Sequence, residues 1–201
     1  MNNKRIDLEL ITSLVDKKIR VLDVGCGNGE LLQLLKTKND VIGQGLELKQ
    51  ERVNQCVEKG LSAIQGDADK DLSLYPDQSF DCVILSQTIQ ATGDPKLILK
   101  ELIRIGKKAI VSIPNFGYWK VRLSLGINGR MPRTKKLIYN WYDTPNIHLC
   151  TILDFINLCN ELNIQIEKTI TLSSNNNKSY NGLPNKLSNL FSEEAIFLIK
   201  P

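Results

Sequence analysis

A three-layer α/β fold, with helices on both faces of one mostly parallel sheet, is what this 201-residue sequence predicts. Three observations predict it. An apolar strand at residues 19–24 runs straight into Gly25, Gly27 and Gly29, after which Leu31, Leu32, Leu34 and Leu35 continue at helical spacing. Further short apolar segments alternate with helical ones, the order expected of a doubly wound sheet. An acid stands where the second of those segments ends, at Glu47, as it does beside ligand crevices in such sheets.

Taken in order, Ile6, Leu10 and Leu14 mark a short covering helix ahead of the first strand. After the glycines and the first helix, residues 41–47 read as a second strand ending in an acid, and residues 61–65 as a third leading into Gly66-Asp67-Ala68-Asp69. Residues 79–86 form a fourth, apolar and β-branched through its middle as a parallel strand covered on both faces should be. Asp81 in it is expected to cap or pair structurally. Asp94 is a good N-cap with Pro95 at the first helical position; Ile98, Leu102 and Ile105 share one face and Gly106 closes the helix. Residues 107–113 make a fifth strand. Residues 151–162 read as a helix with Phe155, Leu158, Cys159 and Leu162 on its apolar stripe, and residues 164–172 and 195–199 supply the last two of seven strands. The polar run 173–179 between them is expected to be a mobile loop.

The glycines carry the chemistry. A residue without Cβ lets backbone amides approach a ligand, and the helix start behind them presents unpaired N–H donors with partial positive charge. Asp23, Gly25, Gly27 and Gly29 give Asp-x-Gly-x-Gly-x-Gly rather than the dinucleotide spacing Gly-x-Gly-x-x-Gly, which disfavours a nicotinamide-dependent oxidoreductase. A carboxylate at this entrance repels a pyrophosphate but can accept from an ammonium or lie near a sulfonium. Glu47, 24 positions beyond Asp23, is placed to accept hydrogen bonds from a ribose diol. Read alone, the glycines also suit a structural turn, and Glu47 a solvated acid.

Bulk composition bounds the rest. At 42% hydrophobic residues the chain can bury one substantial core, so residues 1–201 are expected to form a single domain. No apolar stretch reaches the roughly 18 residues that cross a bilayer, and the first residues are too charged for a signal peptide, so a cytoplasmic location is expected. Five cysteines without a Cys-x-x-Cys pair and one histidine make a metal site unexpected. The net charge of +4 is uneven: residues 116–150 hold six basic residues against Asp143 alone, together with Phe116, Tyr118, Trp119, Tyr139, Trp141 and Tyr142, half of the twelve aromatics. This basic, aromatic insertion after the fifth strand reads as a lid, a substrate pocket or a docking surface; alternatively its aromatics pack as a small satellite core while Arg130, Arg133, Lys135 and Lys136 are solvated. Nucleic acid is disfavoured, because six positive charges without a recognisable module give only salt-sensitive, nonspecific binding.

The glycine turn, with Glu47 and Asp67, resembles class I S-adenosylmethionine-dependent methyltransferases. That resemblance implies a three-layer Rossmann-like class I methyltransferase fold whose seven-stranded, mostly parallel sheet ends in an antiparallel strand. It implies S-adenosylmethionine or S-adenosylhomocysteine as ligand, with Asp23, Gly25, Cys26, Gly27 and Gly29 at its amino acid end, Glu47 and Leu48 at the ribose, Asp67 and Ala68 beside the adenine, and Ser86 and Gln87 towards a substrate. A narrower resemblance rests on residues 85–92 (Leu-Ser-Gln-Thr-Ile-Gln-Ala-Thr), 113–117 (Ile-Pro-Asn-Phe-Gly), 129–132 (Gly-Arg-Met-Pro) and 141–148 (Trp-Tyr-Asp-Thr-Pro-Asn-Ile-His). These are similar to the methionine biosynthesis protein MetW family, over nearly the whole chain. Membership implies a role beside homoserine O-acyltransferase as its partner.

Two functions are open on this reading. One is a methyltransferase acting on a small anionic metabolite, for which His148 and Tyr142, with Asp143, are the catalytic candidates; no Asn-Pro-Pro-Tyr type run is present, and a lone histidine is more often structural. The other, which the family resemblance and the thin catalytic set favour, is a noncatalytic partner whose insertion docks on the acyltransferase.

Overall fold

A computed structural model describes residues 5–134, 137–173 and 176–201. The chain runs α1 (Ile6–Leu14), β1 (Arg20–Val24), α2 (Glu30–Asn39), β2 (Ile42–Glu47), α3 (Gln50–Glu58), β3 (Ser62–Gln65), α4 (Ala68–Asp71), β4 (Cys82–Ser86), α5 (Pro95–Ile105), β5 (Ala109–Pro114), α6 (Trp119–Asn128), α7 (Ile152–Glu161), β6 (Gln165–Ser173), β7 (Asn176–Asn181), α8 (Ser188–Phe191) and β8 (Glu194–Lys200). Short 3-10 turns lie at Leu72–Leu74 and Ile89–Ala91. The strands form one sheet in the order β3-β2-β1-β4-β5-β8-β6-β7. Neighbours from β3 to β5 are parallel, while β8 runs antiparallel to both β5 and β6.

The central strands are buried along their length because both faces are covered. Val21, Cys82, Ile84 and Ile110 pack under Leu8, Ile11, Leu31 and Leu35 of α1 and α2 on one side. Leu22, Val24, Val83, Leu85 and Val111 pack against Ile98, Leu102, Phe155 and Cys159 of α5 and α7 on the other. Phe155 and Phe197 stack with ring centroids 4.4 Å apart. Alternate residues of one strand thus enter opposite cores, which is why these segments read as continuous apolar runs. The expected caps are present: Asp94 accepts from the N–H groups of Lys96 and Leu97, both at 3.0 Å. α7 adds a capping box between Thr151 and Asp154. Asp81 accepts from Arg20 N–H and pairs with Lys107, fixing the entrances of β1 and β4.

Two expectations are corrected. The sheet has eight strands, not seven. The polar run 173–179 is not a loop: Ser173 ends β6 and Asn176 to Ser179 lie in β7, paired antiparallel with Ser173 at Asn176 and with Lys168 at Asn181. Ser174 and Asn175 of that run lie outside the described residues, as do Lys135 and Lys136 of the insertion. The physical reason is that an edge strand needs only backbone pairing, and the sequence Asn-Asn-Lys-Ser-Tyr-Asn carries no apolar alternation to betray it. Tyr180 in β7 accepts from Ser188 Oγ at 3.1 Å.

The order reverses between β1 and β4, and the registers align Val24 with Leu46 and Leu85, so the carboxyl ends of β1, β2 and β4 open on one crevice.

Candidate cofactor site

The glycine turn is pinned to the end of β2. Gly25 and Cys26 N–H both donate to Leu46 O, at 2.7 and 3.2 Å, and Gly27 N–H donates to Glu47 Oε2 at 2.9 Å. All three glycines have positive φ: +71°, +57° and +80°. They differ in what a side chain would meet. A Cβ on Gly25 would stand 2.7 Å from Thr88 Oγ1 and one on Gly29 2.6 Å from Leu61 Cδ1, whereas at Gly27 nothing lies within 4 Å. Gly25 and Gly29 are therefore glycines for packing as well as for backbone angle. Gly27 alone faces open space.

Beneath the turn sit two carboxylates that water scarcely reaches. Asp23 is 2% exposed, and burial, with the nearby charge of Glu47 second, pushes its carboxyl up to about 8. Glu47 is also buried; its Oε1 accepts from Lys49 N–H at 3.0 Å and lies 3.9 Å from the Arg52 guanidinium. Two backbone donors leave about half of the four or so lone-pair positions of the Glu47 carboxylate open. Cys26 is buried behind the turn, its sulfur 2.5 Å from where a Cβ on Gly45 would stand, and burial pushes its thiol far up. This is the setting of an inert packing thiol.

A cavity of about 290 Å³ opens beside this turn, lined by Gly25, Leu46, Glu47, Leu48, Asp67 and Ala68 with Lys49 and Arg52 at one side and Gln87, Thr88, Ala91, Thr92 and Pro145 at the other. Of the residues singled out from sequence, Gly25, Glu47, Leu48, Asp67 and Ala68 share its wall. Gly27 and Gly29 complete the turn, Asp23 lies under it, and Ser86 stands outside the lining with its hydroxyl 3.1 Å from that of Ser112. Asp67 serves as N-cap of α4, accepting from Asp69 N–H, and pairs with Lys70, which holds its carboxyl below the usual range. Gln87 follows β4 at φ +53°, its side chain amide held by Glu194 Oε1 at 2.9 Å and Asp7 Oδ2 at 3.3 Å.

Sequence reading missed Thr88, Ala91, Thr92 and Pro145 as wall residues. Their signal was the unbroken match in segments 85–92 and 141–148, which marked a surface without giving its shape. The catalytic candidates stand apart from this wall: His148 lines a separate cavity with Gln90 and Cys150, and Tyr142 is 71% exposed, its ring edge-on to Trp141. Asp143 is used locally, accepting from Asn140 N–H. The insertion is divided: Phe116, Tyr118, Val121 and Leu137 make a small core, while Trp119, Tyr139, Trp141 and Tyr142 stay exposed. Among the described residues no cluster of three or more His, Cys, Asp or Glu could hold a metal ion, and no helix is long and apolar enough to cross a membrane.

The family model described as methionine biosynthesis protein MetW matches residues 5–199. The chain belongs to that family. A bifunctional methionine biosynthesis protein MetXA/MetW of Rhodopirellula baltica is 33% identical over 174 residues, 82% of this chain but 28% of the relative. The chain thus spans well under two thirds of the length of the curated relatives it matches. Solved structures place the MetW chain among methyltransferase folds. A SAM-dependent methyltransferase of Thermotoga maritima, described as a possible histamine N-methyltransferase, superposes with TM-score 0.69 at 18% identity, covering 97% of this chain and 87% of that one. An S-adenosylmethionine-dependent methyltransferase of Mesorhizobium loti gives TM-score 0.70 at 13% identity over 99% of both chains. The methyltransferase-like, Rossmann-type fold expected of the glycine turn is therefore the fold observed, with one strand more.

Proposed function

We propose that this MetW chain binds S-adenosylmethionine or S-adenosylhomocysteine in the 290 Å³ cavity and serves L-methionine biosynthesis beside homoserine O-acyltransferase, as its partner or activator. The observation that carries the cofactor reading is the buried pair Asp23 and Glu47. Burial first, and the nearby charge of Glu47 second, raise the energy of Asp23 as an anion. A ligand bringing its own positive charge relieves that cost, whereas a pyrophosphate would add to it. The residues present fit such a ligand. Glu47 keeps lone pairs for a ribose diol, Leu48 and Ala68 offer apolar surface to a base, Asp67 stays ionised near it, and the open side of Gly27 admits close backbone approach. When bound, S-adenosylmethionine supplies an activated methyl group and a cationic centre.

The partner reading is supported by the Rhodopirellula baltica relative, whose name joins MetXA with MetW in one chain. Covalent joining keeps two modules at high effective concentration, which is useful where they act on one another. A methyltransferase acting on a small anionic metabolite needs groups aimed at the acceptor. His148 and Tyr142 are not in the wall of this cavity.

The test is calorimetric titration of the chain with S-adenosylmethionine, with and without purified homoserine O-acyltransferase, while acyl transfer is followed. Cofactor binding without consumption, together with altered acylation, is the expected outcome. Steady release of S-adenosylhomocysteine on adding a metabolite would replace the partner reading with the enzymatic one.

A further inference from the structure

A second concavity of about 150 Å³ is built from chain segments that adjoin those of the cofactor cavity, with no lining residue common to the two. It is lined by Ile89, Gln90, Pro95, His148, Cys150, Asp154, Phe155 and Leu158 and is almost wholly apolar. The 3-10 turn Ile89–Ala91 faces both spaces: Ala91 lines the first, Ile89 and Gln90 the second. So does the end of the insertion, which gives Pro145 to the first and His148 and Cys150 to the second. The two shared segments are tied together, because Gln90 O accepts from Ile147 N–H at 2.8 Å and His148 N–H at 3.0 Å. The Gln90 side chain is 1% exposed and donates to Pro114 O at 3.1 Å and Cys150 Sγ at 3.0 Å, while its Oε1 has no partner among the described residues.

The size of the hole restricts what enters it. Sites for drug-sized ligands run to roughly 300–1,000 Å³, whereas a space of about 150 Å³ has room for a benzene-sized group. That is the volume of one anchor side chain, and interface energy concentrates in such anchors, sheltered by a ring of contacts that exclude water. Next to lining residues in the chain stand Ile147, Leu149 and Leu153, and two positions beyond Pro95 stands Leu97, all more than 40% exposed.

We propose that this second cavity receives one apolar side chain of homoserine O-acyltransferase, with Leu97, Ile147, Leu149 and Leu153 as the water-excluding rim. The assignment rests on the partnership proposed above. The acyltransferase is the occupant because the Rhodopirellula baltica relative joins the two names in one chain. Seating the anchor presses on Ile89 and Gln90, whose 3-10 turn gives Ala91 to the cofactor cavity, so each ligand changes the affinity of the other.

The test uses the full chain with Leu97→Glu and Leu153→Glu combined, since both positions are exposed. Binding to immobilised homoserine O-acyltransferase is expected to weaken by about tenfold or more, the loss typical of a charge placed on an anchor's rim. Calorimetry of the free variant with S-adenosylmethionine, and its melting temperature, are expected to match wild type. Leu158→Phe, which fills the hole from its wall, is expected to weaken the complex likewise. If wild type forms the complex and the double variant forms it equally well, the docking site is overturned while the partnership stands. If wild type does not bind the acyltransferase at all, both fall.

Discussion

Asp23 is the residue on which the cofactor reading is most exposed to measurement. Its carboxyl titrates near 8 in the folded chain against 3.8 for the ordinary group, so between those values the folded state holds a proton that the unfolded state has lost. Stability must then fall as pH rises through that window and level off above it. Asp23→Asn removes the effect: in urea denaturation at pH 5 and pH 8, wild type is expected to lose stability between the two and the variant to lose much less. A cationic ligand favours ionised Asp23, so affinity for S-adenosylmethionine should rise from pH 6 towards 8 in wild type, while the variant binds weakly with little pH slope. Glu47→Gln is expected to cost ten- to a hundredfold in affinity, about 1.5–3 kcal/mol for a charge-assisted hydrogen bond. The glycines separate on stability. Gly27→Ala meets no neighbour and pays only for its positive φ, about 1–2 kcal/mol, yet should abolish cofactor binding. Gly29→Ala also drives a methyl against Leu61 and Cys56 and should melt well below Gly27→Ala. Gly27→Val, with a β-branched side chain at φ +57°, would confuse strain with lost binding and is the poorer probe.

At the scale of elements, α5 shows how a local pattern becomes structure. Asp94 closes two N–H groups that the helix cannot satisfy itself, Pro95 stands where no donor is missed, and Ile98, Leu102 and Ile105 enter the core fully. Asp94→Ala should cost about 1 kcal/mol and lower the melting temperature by about 2–4 °C, with cofactor affinity unchanged. Elements of this kind were legible because each carried its own chemical reason for starting and stopping. The glycine turn was legible for the same reason, down to the acid at the end of β2. β7 was not: its Asn-Asn-Lys-Ser-Tyr-Asn composition is that of a turn, and only the partner strand β6 makes it a strand. Nor could the sequence show that Glu47 spends two lone pairs on Gly27 and Lys49, that Asp67 caps α4, or that His148 lines the second cavity and not the cofactor wall. Each of those depends on which chain segments meet across the sheet, and local spacing is silent on that.

At the scale of the molecule, the rigid sheet and the irregular insertion have different duties. β1, β2 and β4 hold the turn, Asp23 and Glu47 in fixed register, so the site side of the crevice has little freedom. The opposite side is formed by Gln87, Thr88, Ala91, Thr92 and Pro145, from segments whose hold on one another includes the two bonds to Gln90 O. A wall of that kind can shift without disturbing the sheet, and a shift helps one ligand only at the expense or benefit of the other. Linkage then makes a quantitative demand: whatever factor S-adenosylmethionine applies to the affinity for homoserine O-acyltransferase, the acyltransferase must apply to the affinity for S-adenosylmethionine. A coupling of 1–3 kcal/mol corresponds to about 5- to 150-fold, well within calorimetric reach. Gln90→Leu keeps the apolar packing but removes the side-chain bonds to Pro114 O and Cys150 Sγ, and with them the side-chain tether of the shared turn. The expected outcome is that both ligands still bind Gln90→Leu while the two reciprocal factors shrink together towards one. Factors that stay large in the variant, or that differ from each other in wild type, would show that the wall does not carry the coupling.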